Sequence, residues 1–158
     1  MAAAAALTAP DIYWDDLRTG HGWRTQGRTI TEPDLASWLN LTWLTEPLFT
    51  DLHERGDSAI AGRFVPGAMI FAFAEGLTLG AVKVKGLAFL RSELDVKGPT
   101  FVGDTVHVRT TVQELRETSK PDRGLALTRN EVVNQKGDTV LVYTALRMMR
   151  RRPPAGSR

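Results

Sequence analysis

Several side chains that can move a proton sit close together in one stretch. Asp51, His53 and Glu54 stand almost side by side, and Glu46 lies just upstream between Trp43 and Phe49. A carboxylate and an imidazole on either side of a water can take one proton and give another. His53 follows Phe49 by four residues, so on a helical turn the two would share a face. Among its aromatic neighbours the Glu46 carboxyl would have a raised pKa suited to acid or base work, whereas as a loop glutamate it needs no such role. Glu75 stands apart as the only charge between Ala68 and Val82. The other two histidines read as bystanders: His107 alternates with the apolar residues of its segment and should face solvent, and His21 falls among turn glycines. The chain has no cysteine, which excludes disulfides, thiolate zinc sites and a cysteine nucleophile, and agrees with a reducing cytoplasm. No histidine and acid spacing suggests a metal site.

These groups need elements to hold them. The one long apolar run is Ala61–Val82, AGRFVPGAMIFAFAEGLTLGAV, with Pro66 and Gly67 at a helix start. A helix apolar nearly all round must be covered by other structure. At 1.5 Å per residue the fifteen residues from Ala68 to Val82 would reach roughly 22 Å, too short for a membrane span. Upstream, Trp23–Ile30 reads as a short strand broken by a bulge at Gly27. TEPD then caps a helix from Glu32 to about Leu41, with Leu35, Trp38 and Leu39 on one face. Asn40–Ser58 reads as loop and short helical turns. Beyond the central helix the pattern becomes strands: Val84–Leu94, Thr105–Leu115, Leu125–Asn134 and Thr139–Arg150, with turns at Lys120–Gly124 and Gln135–Asp138.

At 158 residues the chain fits one domain over 11–150, after a small-residue leader at 1–10. Its net charge of +2 rests on a C-terminal run with arginines at 147, 150, 151, 152 and 158. Residues 151–158 are expected to be a solvated, disordered basic tail, so neither nucleic acid nor membrane is called for as a partner. The order of elements predicts an α+β fold in which one curved antiparallel sheet wraps one helix. Such an open sheet leaves an edge and a helix face uncovered, which a dimer would complete.

Three stretches carry a family resemblance: GRTITEPDL, EPLFTDLHERGDSAIAGRFVPGAMIFAFAEGL, and FVGDTVHVRTTV. Together they resemble the MaoC-like branch of the hotdog superfamily, the (R)-specific enoyl-CoA hydratases and dehydratases, from about Tyr13 to Arg150. The middle stretch lies without gaps on the family pattern NPLHxDxxFA…GGRIAHGxL…G. The resemblance implies a hotdog fold and the addition or removal of water across the double bond of an acyl thioester, with no cofactor. It also implies an aspartate and histidine dyad, and a helix start whose N–H groups bind the thioester oxygen.

Position by position, the family's aspartate falls on Leu44, its asparagine on Glu46, its histidine on Phe49 and its histidine-glycine pair on Pro66-Gly67. Leucine and phenylalanine move no protons, so the dyad is replaced while Gly67 keeps the oxyanion position. The resemblance leaves several routes open. Catalysis is rerouted through Glu46 or the Asp51 and His53 pair, or it is lost. Alternatively the chain is a hotdog thioesterase using Glu75 or Glu46, or the non-catalytic subunit of a heteromer. Glu75 has an equally good reading as the partner of an arginine. Trp43, Leu44, Phe49, Phe64 and Pro66, with Trp38, are expected to line an acyl pocket or to be core. Arg63, Lys83 and Lys85 are candidates for the phosphates of an acyl-CoA. The expected partners are an acyl-CoA or acyl-carrier thioester and a second chain, in a homodimer, higher even oligomer or heteromer.

Overall fold

A computed structural model describes residues 10–53 and 58–154. The sheet is built mainly from three long strands, β7 (Thr105–Glu117), β8 (Arg123–Val133) and β9 (Thr139–Arg150), joined by two hairpins. Between the last two, Asn134 organises the turn: its Oδ1 accepts from the Lys136 and Asp138 N–H groups, and Gly137 takes the positive φ of 92°. Around this trio β2 (Gly22–Arg24) and β3 (Arg28–Thr29) pair with β7, while β5 (Gly86–Arg91) and β6 (Leu94–Val96) pair with β9, all antiparallel. The expected bulged strand at 23–30 is thus two short strands on one edge. The single strand expected at 84–94 breaks into three, because β4 (Lys83–Val84) turns away to pair in parallel with β1 (Asp11–Ile12).

Helix α1 (Glu32–Thr42) starts on the TEPD signal. Thr31 and Asp34 form a reciprocal cap, and left-handed Trp43 ends the helix at φ 56°. Helix α2 (Pro47–Thr50) is a single turn. Helix α3 (Gly67–Ala81) lies across β7 and β9 and buries Met69, Ile70, Ala74 and Thr78. These join Ile30, Leu35, Val106, Val108, Leu141 and Tyr143 in the main core. Ala68, Ala72, Gly76 and Leu79 stay exposed, so the sheet covers one face of the helix and leaves the other open. Beside that face the β5–β6 edge exposes Phe89, Leu90, Leu94 and Val96. An uncovered helix face and an uncovered edge are what the element order predicted.

Two expectations need correction. Arg151 and Arg152 of the expected tail are ion-paired to the first segment of the chain, Arg152 with its side chain still 55% exposed, while residues 155–158 lie outside the described residues. The 3-10 turn Trp14–Asp16 presents Asp15 to Arg151 at 2.9 Å and Asp16 to Arg152 at 2.7 Å, while the two guanidiniums lie over the Trp14 and Tyr13 rings. The arginines hold the Asp15 and Asp16 carboxyls below the usual carboxylate range. His107, expected in solvent, is only 9% exposed, with Nε2 buried and no partner among the described residues. Alternation hides one face of a strand, yet here Val106, His107 and Val108 are all buried. Burial, helped by nearby Arg24 and Arg109, pushes the His107 pKa down.

Candidate functional site

The start of α3 opens into a pocket of about 300 Å³. Phe49, Ile60, Phe64 and Val65 form one wall, Ile70, Val140 and Leu141 the floor, and Val96 with Lys97–Thr100 the opposite rim. Pro66 and Gly67 stand at its head. A helix start leaves its first N–H groups without intrahelical acceptors. The Pro66 carbonyl takes up those of Met69 and Ile70 at 3.0 and 3.3 Å, leaving Gly67 and Ala68 as the donors of this helix end. There the helix dipole also favours negative charge. Gly67 cannot be larger without displacement: a Cβ would lie 2.8 Å from Val96 Cγ2. Apolar walls leading to two backbone donors suit an apolar chain that ends in a carbonyl.

Each expected site residue has a definite place. Phe49, Phe64, Pro66 and Gly67 do line the pocket. Phe49 is 7% exposed and meets Phe64 edge-on, with ring centroids 5.4 Å apart. Trp43 and Leu44 do not line it. The left-handed end of α1 turns Trp43 outward to 85% exposure, and both residues border a separate open groove. Trp38 packs against the core. Glu46 is exposed at the start of α2 and is not among the pocket's lining residues, so the apolar surroundings expected for it are not found.

Asp51 and His53 lie beyond α2, which stops at Thr50, so His53 and Phe49 share no helical face. Asp51 Oδ1 instead accepts from the His53 backbone N–H at 2.8 Å, leaving that ring exposed. Glu54 lies outside the described residues. Glu75 is two turns further along α3. Its Oε2 accepts from Arg147 Nη2 at 2.5 Å, and it does not border the pocket. Among the described residues that line the pocket there is no carboxylate and no imidazole, and Lys97 is the one charge. No three histidine or acidic side chains come together to hold a metal among the described residues.

The cations proposed for CoA phosphates are already engaged. Lys83 and Lys85 pair with Asp11 at 3.3 and 2.8 Å. Arg63 pairs with Glu32 through Nε and Nη2, and its Nη1 donates to the Phe49 carbonyl. Sequence reasoning missed Ile60, the Val96–Thr100 rim and the Val140–Leu141 floor. Gly98-Pro99 was visible only as a break in a strand pattern, and nothing local shows that the break closes over a helix end.

No sequence-family model matches the chain, and no match is found among curated proteins. Solved structures do match. A MaoC-like dehydratase from Rhodospirillum rubrum is 24% identical at a TM-score of 0.78, over 90% of this chain and 99% of that one. The putative MaoC domain protein dehydratase from Chloroflexus aurantiacus gives a TM-score of 0.88 at 24% identity, over 97% of this chain, which spans 44% of that one. The (R)-hydratase from A. caviae involved in PHA biosynthesis is 26% identical at a TM-score of 0.69, over 87% of this chain and 98% of that one. The chain therefore has the hotdog fold, in the form found in MaoC-like dehydratases and (R)-hydratases.

Proposed function

We propose that this hotdog chain binds an acyl thioester, acyl chain in the apolar pocket and carbonyl oxygen at the Gly67 end of α3, without turning it over alone. One observation carries the reading. The pocket borders the Gly67 start of α3, yet no carboxylate or imidazole is among its described lining residues and Lys97 is their one charge. A carbonyl gains from the N–H donors of a helix start, and more so as negative charge develops on it. Hydration of a conjugated thioester also needs a proton taken from water and one delivered to carbon. Phe49 and Leu44, which hold the dyad positions in the resemblance, supply neither.

A second chain completes the molecule in this reading. The open α3 face and the Phe89, Leu90, Leu94 and Val96 edge present apolar surface beside the pocket's Val96 rim, where a partner would be adjacent to the bound chain. A homodimer brings a second copy of the same acid-free lining. A heteromer brings a different one, and the non-catalytic subunit of a heteromer is therefore favoured over a thioesterase. The thioesterase alternatives lose ground because Glu75 is tied to Arg147 and Glu46 is exposed and does not line the pocket.

Calorimetry with crotonyl-CoA, alongside ultraviolet absorbance of its conjugated double bond and an assay for released thiol, tests this. Binding with neither reaction is expected, and Gly67→Val should abolish the binding. Hydration or hydrolysis by the purified chain overturns the non-catalytic reading. Absence of any binding overturns the acyl-thioester reading altogether.

A further inference from the structure

We infer that Arg63 is a positioning residue that clamps the Phe49 wall and so sets how long an acyl chain the pocket accepts; this rests on the acyl-thioester reading above. Phe49 belongs to a helix of four residues, Pro47–Thr50, too short to be stable by itself. Its carbonyl is at the end of that turn, where no intrahelical donor remains. Arg63 Nη1 supplies one at 2.5 Å.

The backbone from which Arg63 reaches is fixed independently. Its carbonyl accepts from Val102 N–H at 2.9 Å, and Val65 N–H donates to the Thr100 carbonyl at the same distance. The far side of the guanidinium is anchored as well. Nε and Nη2 hold the Glu32 carboxylate at 3.2 and 2.6 Å, tying the group to the capped start of α1. One planar fork thus joins three elements, a task lysine's single ammonium cannot repeat. The Phe49 ring sits edge-on against Phe64, the residue next to Arg63, so the clamp and the aromatic pair are contiguous.

The volume sets the expected preference. About 300 Å³ stands at the small end of ligand pockets, which run from about 300 to 1,000 Å³. A short acyl chain is therefore expected to suit it better than a sixteen-carbon one, for which the Phe49 wall would have to give way. Releasing the wall should admit longer chains without altering the Gly67 end.

Calorimetric titration of the full chain with butyryl-CoA and palmitoyl-CoA distinguishes the outcomes, with thermal unfolding measured in parallel. Wild type should prefer butyryl-CoA. In Arg63→Gln and Phe49→Ala the palmitoyl-to-butyryl affinity ratio should rise by about tenfold, a change well resolved in Kd. Glu32→Gln, which frees only the far side of the clamp, should give a smaller rise, and Arg63→Lys should recover part of the wild-type ratio. Folded variants with an unchanged ratio overturn the inference and leave the thioester reading standing. Wild type that binds neither CoA ester overturns the thioester reading itself.

Discussion

Arg147 on β9 and Glu75 on α3 form a direct charge-assisted hydrogen bond of 2.5 Å, with only 11% and 17% of their side-chain surfaces exposed. The bond crosses from sheet to helix at the middle of the molecule, and the guanidinium also lies 5.0 Å from the Phe89 ring centre. Around it Glu75 Oε1, Thr78 Oγ1 and Tyr143 OH are buried without a protein partner among the described residues. Burial pushes the Tyr143 pKa well up, so this hydroxyl remains neutral and able to donate.

Removing one member of a mostly buried pair strands the other in a poor dielectric. Glu75→Ala is therefore expected to cost about 3–5 kcal/mol, and Glu75→Leu with Arg147→Met together much less. Urea denaturation of the wild type and these two variants measures both. A loss below about 1 kcal/mol for Glu75→Ala would place the pair among weak surface bridges.

Gly124 is held small by a distant residue. A Cβ there would fall 2.4–2.6 Å from three atoms of the Trp14 indole, whose Nε1 donates to the Leu125 carbonyl. Gly124→Ala should cost about 1–3 kcal/mol through overpacking. In a Trp14→Ala background the three atoms nearest the added methyl are gone and its own cost should fall sharply. A double-mutant cycle reads this coupling, and purely additive losses would contradict it.

His107 predicts a pH dependence whose sign follows from its lowered pKa. The unfolded chain gains a proton near the ordinary value of 6.5, while the folded chain resists it because the ring is buried near Arg24 and Arg109. Below that pH the unfolded state binds more protons and stability falls; above it the contribution is complete. The slope approaches at most about 1.4 kcal/mol per pH unit. His107→Gln should flatten the stability profile between pH 6.5 and the onset of carboxylate titration, checked by denaturation midpoints across pH.

Gly67→Ala gives a second steric test, now at the site. The new methyl meets Val96 Cγ2, a single branch of a rim side chain, so the fold should survive while the helix end shifts. Crotonyl-CoA affinity is expected to fall about tenfold, and adding Val96→Ala should restore most of it. A loss unaffected by the second change would mean that the glycine matters for another reason.

Local rules were enough for much of this molecule. TEPD predicted the cap of α1, Pro66-Gly67 the start of α3, and alternation the buried Val106, Val108, Thr110 and Val112 of β7, though not His107; β9 runs from Thr139 to Arg150 as expected. These are short-range patterns in capping and apolar period. The site was half legible. Phe49, Pro66 and Gly67 were found because the family pattern falls on them and Phe64 because it lies near the helix start in sequence, whereas Val96, Thr100, Val140 and Leu141 come to the pocket from far along the chain.

The sequence by itself determined that this chain has an apolar helix needing cover, long strands to cover it, no thiol, and no dyad where the resemblance expects one. Residue type and spacing are enough for those statements. Only the tertiary structure decided which charges are already paired: Arg63 with Glu32, Glu75 with Arg147, and Asp15 and Asp16 with Arg151 and Arg152. Those partners lie 31 to more than 130 positions apart. A side chain's chemistry depends on what folding places against it, and at such separations no local pattern carries that information.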